Sequence, residues 1–386
     1  MTRFHCIPTE LRSFLEPLRK EFGYNHYLTF LWLVFSIMSN PQKGTLKNLS
    51  EIPAKKSYHT FLRFLKAKYL QPRHWLMFTA LARLKTLHRK EKTLKILADV
   101  TWIHKTGEHD WISRGYKSNA KPEQGIQLLV LCFEMQGQRI PFDFFIISKP
   151  DGQRLSYNPQ MLEMLAELEL PKWVESVVLL ADAAFASKHV IQKLNQWNWG
   201  YVFRLPKTWK FEQGGFVKDH LEQLPRKSFK LCWYVSAHGA RKYCQYFTHR
   251  ARLNHLGDVT LVYSFIKGKL KPEKRILVTN MPLNHTKILA LYQRRWCIEV
   301  LFKELKSEMG LGKMQLSVTK NQMMTGIGAV LVAYNALFSI HNEPTGGVLS
   351  LKKEFYAHCM HQNLFSFVSK HLPEPLLERF MLRFAS

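Results

Sequence analysis

Four residues near position 300 combine phosphate-gripping and metal-binding side chains at a spacing that gathers them together. Tyr292, Arg295, Glu299 and Lys306 follow the pattern Y-x2-R-x3-E-x6-K within Tyr-Gln-Arg-Arg-Trp-Cys-Ile-Glu-Val-Leu-Phe-Lys-Glu-Leu-Lys. At about 100° per residue they fall near 0°, 300°, 340° and 320° of one helical stripe. Ile298, Leu301, Phe302 and Leu305 take the adjoining arc, roughly 180° to 280°. One flank is therefore predicted to be buried, and the next is a basic strip around a single carboxylate. Arginine offers a phosphate a planar fork and lysine a point charge, while a carboxylate is an oxygen ligand for a hard divalent cation. A solvated face would more often intersperse its charges as i,i+4 partners, and Glu299 with Lys303 forms one such pair. Four chosen residue types at fixed offsets arise by accident in about one chain of this length in several hundred, at roughly 5% usage each.

This signature, with the wording Arg-Trp-x-Ile-Glu from Arg295 to Glu299, resembles the DDE transposases of bacterial insertion sequences, specifically the Tyr-Arg-Glu-Lys group of the insertion-sequence-4 superfamily. The resemblance implies an α/β fold: a ribonuclease H-like catalytic core with a β-rich insertion, flanked by N-terminal and C-terminal helical regions. It also implies cut-and-paste chemistry. Water hydrolyses one strand at each element end, the freed 3′ hydroxyl attacks the opposite strand to give a hairpin, the hairpin is reopened, and the 3′ ends are joined to target DNA. The implied substrates are double-stranded terminal inverted repeats and target DNA, held by a homodimer in a synaptic complex.

The elements that must position such residues are legible in outline. Residues 1–90 read as helices, near Leu11–Phe22, Tyr27–Met38, His59–Leu70 and Trp75–Leu87, separated by Asn40-Pro41, Pro53 and Pro72. Strands follow. Leu94–Thr101 is an apolar run closing on Asp99, and Ile126–Phe133, the turn-like Gln136-Gly137 and Arg139–Ile147 complete a predicted antiparallel meander. Asn158 as N-cap and Pro159 open a helix burying Met161, Leu162, Leu165 and Leu168. The buried strand Val177–Ala181 ends at Asp182, Ser187 caps a helix, and Tyr201–Leu205 is another strand, so the order is β-β-β-α-β-α-β. Residues 206–275 break this rhythm with short aromatic strands at Phe229–Val235, Lys242–Thr248 and Val259–Ile266. Arg275–Thr279 returns to a strand, the signature helix follows, Val318–Ile340 reads as a long apolar helix, and Leu349–Phe384 as shorter helical segments. The expected domains are 1–90, helical, basic and DNA-binding; 91–205 with 276–345, the catalytic core; 206–275, the insertion; and 346–386, helical.

Composition narrows the partner. The 386 residues suffice for a large core and two or more domains, and 56 Lys+Arg against 29 Asp+Glu leave a net charge of +27. Such an excess points to a polyanion, with nucleic acid foremost, because each cation set against a phosphate releases condensed counterions. The surplus is spread out: 16 basic against 4 acidic residues in 1–90, and 15 against 5 in 206–275. Six dispersed cysteines without a Cys-x-x-Cys pair argue against a disulfide framework and a structural zinc, and for a reducing compartment. No signal peptide opens the chain, and the apolar stretches Leu28–Met38 and Thr325–Ile340 are too short to span a bilayer, so a cytoplasmic protein with no membrane partner, nucleoid-associated when on DNA, is expected.

Cutting and joining a phosphodiester requires charge to be neutralised on both the attacking and the leaving oxygen. Two divalent ions about 3.5–4 Å apart achieve this, and Mg²⁺, for which Mn²⁺ can substitute, takes carboxylate oxygens and water. Asp99, Asp182 and Glu299 are the candidate catalytic and metal-ligating residues, 83 and 117 positions apart; the resemblance implies them as the triad. Asp143, inside a later strand, is the rival for the first position. Alanine at 184 replaces the glycine often seen in the family two places after the second aspartate. Arg295, Lys306 and Tyr292 are candidate contacts to DNA phosphates, and Trp296 is a candidate for stacking on an unpaired base or for a core or interface position. Two other readings remain: a domesticated or inactive relative regulating by binding DNA, and a ribonuclease H-like nuclease without joining activity.

Overall fold

Pro17 ends the first helix early. The computed structural model describes residues 4–40, 44–53, 56–87, 91–105, 113–116, 122–147, 156–206, 208–235, 241–266, 274–314, 319–341 and 347–371. In it α1 (Thr9–Leu15) gives way to a 3-10 turn over Glu16–Glu21, since a proline inside a helix has no N–H to donate. There follow α2 (Tyr24–Ser39), α3 (Leu46–Ser50), α4 (Tyr58–Lys66) and α5 (Pro72–Leu87). Thr45 and Ser57 cap α3 and α4 by accepting from the backbone N–H of Asn48 and Thr60. Pro72, expected as a separator, does stand between α4 and α5, as the first residue of the latter, where its missing N–H is not needed. The five-residue α3 was not foreseen, being too short to show a period.

The strands are β1 (Thr93–His104), β2 (Ser113–Tyr116), β3 (Pro122–Met135), β4 (Gln138–Ile147), β5 (Ser176–Ala181) and β6 (Gly200–Arg204), with α6 (Asn158–Ala166) and α7 (Lys188–Gln196) on either side of β5 in sequence. The expected meander is present as β1, β3 and β4, with the unforeseen β2 pairing to β3. Gln136 and Gly137 both take positive φ, 53° and 80°, as a two-residue hairpin turn of the I′ type requires. β5 and β6 run parallel to β1, giving the core order β4-β3-β1-β5-β6.

The insertion extends this sheet. α8 (Val217–Gln223) precedes β7 (Lys230–Val235), β8 (Arg241–Leu253), β9 (Gly257–Ile266) and β10 (Lys274–Thr279). Because β10 pairs antiparallel with β6, the sheet continues β6-β10-β9-β8-β7 into one of ten strands. Cys232 and Cys244 face each other across β7 and β8 with sulfurs 3.4 Å apart; both are free thiols.

Alternating side chains feed two cores. Leu97, Val130, Val178 and Leu180 join the core shared with the N-terminal helices, whereas Ile96, Ala98, Leu129 and Ala181 join the core on the opposite face with α6 and α7. The first face is covered by α9 (His285–Arg294), α10 (Trp296–Ser307), α11 (Lys320–Ile340) and α12 (Val348–His371). α11 has the length and hydropathy to cross a membrane but is buried along most of its course, packed on α2 and α5. Where shorter C-terminal helical segments were expected, α12 is one continuous helix as far as His371; Val318 and the segment beyond 371 lie outside the described residues.

Candidate active site

The carboxylates are brought together by strand register. β1 and β5 are parallel neighbours, and their last pair is Ala98 with Ala181, so Asp99 and Asp182 are the next residues on each strand. Asp99 does not end its strand, as the apolar run had suggested. β1 continues to His104 on its other partner, β3, and Asp99 marks where β5 stops. It follows Leu97 at the two-residue period and so lies on the face that α10 packs against.

Asp182 is held by its own turn. Its side chain accepts from the Ala183 N–H at 2.8 Å and caps a 3-10 turn over Ala183–Phe185. Ala184 does not take positive φ, so this turn needs no glycine there. The rival Asp143 is engaged elsewhere: Arg73 grips both of its oxygens at 2.7 Å, tying α5 to β4.

The signature spans two helices where one was expected. Arg295 N donates to the Tyr292 carbonyl and Ile298 N to the Arg295 carbonyl, both at 3.1 Å. These are i→i−3 bonds, so a 3-10 turn joins α9 to α10. The apolar flank survives, with Ile298, Leu301, Phe302 and Leu305 all buried. Arg294 and Arg295 diverge at this joint. Arg294 reaches the buried Glu134 at 3.1 Å, while Arg295 bonds Glu299 and lies 3.4 Å from Asp99. Further along α10, Glu304 accepts from Arg139 and from the Tyr334 hydroxyl, both at 2.9 Å, fastening the helix to β4 and α11.

Arg295 is thus the counter-ion of two of the three acids. Burial raises the Asp99 pKa to about 6, opposed by the Val100 N–H and Arg295 and reinforced by the charges of Glu299 and Asp182. Glu299 and Asp182 therefore each lie within electrostatic reach of Asp99. Tyr292 is only 6% exposed, with the Arg295 guanidinium 5.8 Å from its ring centre; burial, chiefly, raises its hydroxyl pKa, and Asp182 adds to this. Trp296, 51% exposed, is not a core residue. Lys306 is partly buried on the last turn of α10. A cavity of about 760 Å³ in the insertion, lined by His220, His249 and Arg250, contains none of these residues.

Residues 90–336, well over half of the chain, match the family described as Transposase DDE domain. The chain belongs to this family of DDE transposases. The match begins just before β1 and ends within α11, so it takes in all three carboxylates of this transposase and its signature. No curated protein matches it. Among solved structures it is similar to a piggyBac transposase synaptic complex with hairpin DNA, at 13% identity and a TM-score of 0.47, covering 96% of this chain and 80% of that one.

The family's function is DNA transposition by a metal-dependent enzyme, and divalent ions are its general cofactors. The donor set of this DDE transposase fits such ions in kind, because three carboxylates supply hard oxygen ligands. It is not closed around one. Among the described residues no three His, Cys, Asp or Glu side chains are grouped to hold a metal, and Arg295 lies between Asp99 and Glu299. Sequence reasoning missed Tyr157, whose hydroxyl pKa is raised by burial and by the charges of Asp99 and Asp182; an aromatic residue before a helix gives no signal of that proximity.

Proposed function

We propose that the chain is a cut-and-paste DNA transposase of bacterial insertion sequences, of the Tyr-Arg-Glu-Lys group of the insertion-sequence-4 superfamily, with Asp99, Asp182 and Glu299 as its metal ligands. The observation that carries this reading is that Asp99 and Asp182, 83 positions apart, each follow the last register pair of the parallel strands β1 and β5, while Arg295 ties Asp99 to Glu299, 117 positions beyond Asp182. The charges of Glu299 and Asp182 both raise the pKa of Asp99, a repulsion that a bound cation would relieve. The strand order β4-β3-β1-β5-β6, antiparallel on one side of β1 and parallel on the other, supports a ribonuclease H-like core.

The three carboxylates would hold Mg²⁺, two ions with Mn²⁺ as a substitute, and metal bound there supplies activation of the attacking oxygen and neutralisation of the leaving one. Arg295 neutralises part of the charge of Asp99 and Glu299 in the free protein, and a DNA phosphate offers its guanidinium a further partner. The Tyr292 ring backs that guanidinium, and its hydroxyl is a donor for a terminal phosphate. Lys306 adds a point charge along the backbone, and the exposed indole of Trp296 stacks on an unpaired base. The basic stretches 1–90 and 206–275 bind further phosphates of the inverted repeats and target, and two copies bring two ends together. The protein acts in the cytoplasm, on the nucleoid.

Incubating the purified chain with DNA carrying the element ends and Mg²⁺ or Mn²⁺ tests this. Cut ends and joined products are expected from the parent, and bound but uncut ends from Asp182→Ala. An Asp182→Ala protein that cuts like the parent would remove the assignment. Cut ends without joined product would make the chain a nuclease instead.

A further inference from the structure

Two residues outside the signature grip the turn that presents Asp182. Tyr157 and Asn158 open the nine-residue α6, where the expected capping role of Asn158 is not realised: the helix starts on it, and no side chain caps. Its amide is used elsewhere. Asn158 Nδ2 donates to the Ala184 carbonyl at 3.4 Å, and the Tyr157 ring packs on Phe185 with centroids 4.8 Å apart. Ala184 and Phe185 are two of the three residues in the 3-10 turn that Asp182 caps. Asn158 is 8% exposed and its Oδ1 has no partner, so a buried amide is committed to the turn at the cost of an unsatisfied oxygen.

The turn needs outside support. It is closed by two backbone bonds, Phe185 N to the Asp182 carbonyl at 3.0 Å and Ala186 N to the Ala183 carbonyl at 3.2 Å, and i→i−3 geometry is intrinsically poor. We propose that Tyr157 and Asn158 are positioning residues for Asp182, fixing the turn so that its carboxylate stays beside Asp99 at the end of β5. The influence of both acids on the Tyr157 hydroxyl is consistent with the ring standing next to the pair. This inference rests on Asp182 being a metal ligand. Groups that orient ligands typically change metal affinity 10- to 100-fold when removed.

Mn²⁺ binding to the full chain without DNA, followed by electron paramagnetic resonance, reads the clamp apart from catalysis. Tyr157→Ala is expected to raise the half-saturating Mn²⁺ concentration about 10-fold, with cleavage recovering at saturating Mn²⁺. Tyr157→Phe, which keeps the ring, is expected to bind like the parent. Asn158→Ala is expected to move in the same direction as Tyr157→Ala, and gives the reading if the latter does not fold. Parent-like binding by the alanine variants overturns the proposal, as does a Tyr157→Phe protein as impaired as Tyr157→Ala. Asp182→Ala in the same titration separates the two claims. If it weakens binding while the clamp variants do not, the clamp alone fails; if it binds like the parent, the ligand reading fails first.

Discussion

Asp99 is ionised at a cost, set by burial, that Arg295 and the Val100 N–H offset only in part. Its pKa rises from 3.8 to about 6, first through burial, so in the metal-free protein the folded state holds this proton more tightly than the unfolded chain. The sign follows directly: the penalty is absent below about pH 3.8, grows as the pH rises through the window to 6, and is complete above it. Asp99→Asn should therefore stabilise the metal-free protein at neutral pH, by about 1–3 kcal/mol at 1.36 kcal/mol per pKa unit, while abolishing cleavage. Urea melts with and without the substitution at pH 7.5 check this. A loss of stability would mean that Asp99 serves the fold through Arg295. Asp143, whose pKa burial also raises, differs from Asp99 in its partner: it is 5% exposed and bonded at both oxygens by Arg73, itself one-third exposed, which loses both bonds to the charged carboxylate on substitution. Asp143→Asn should cost about 2–3 kcal/mol, less than a fully buried pair, with cleavage per folded molecule unchanged. Loss of cleavage in that folded protein would return Asp143 to the list of catalytic candidates.

At the level of elements, α11 is the support on which the site rests, through Tyr334 and Glu304 of α10. α11 can approach α5 only because position 328 is glycine: a Cβ there would lie 2.4 Å from the Pro72 side chain. Gly328→Leu should destabilise the protein by about 1–3 kcal/mol or more through overpacking, seen as an earlier thermal transition; an unshifted transition would show that this helix contact is slack. The elements also show what a sequence can and cannot convey. Glu299 was legible because its partners lie within one local repeat, and Asp182 because an apolar run stops on it. The interruption at Arg295 was not legible: its φ and ψ of −53° and −33° are helical, and only the hydrogen-bond partners change. The position of Asp99 within β1 was misjudged because the end of its parallel pairing is set by the length of β5, far away in sequence. Tyr157 and Asn158 act on residues 26 to 28 positions away, which no local pattern encodes.

For the whole molecule, the pairing of β10 with β6 makes β7 to β10 a continuation of the sheet that carries Asp99. One core runs from α1 through the sheet face to α12, and Asp99 lies on that face. A net charge of +27 spread over this frame should make DNA affinity fall steeply with salt; a flat dependence between low and physiological ionic strength would contradict a phosphate-tracking surface. The claim on which everything else depends is that Asp99, Asp182 and Glu299 hold divalent metal together. Fe²⁺ bound in place of Mg²⁺, with ascorbate and peroxide, generates hydroxyl radicals that cut the polypeptide beside the ion. Fragments ending near residues 99, 182 and 299, suppressed by excess Mg²⁺, are expected; cuts elsewhere, or none that Mg²⁺ suppresses, would contradict a shared metal site.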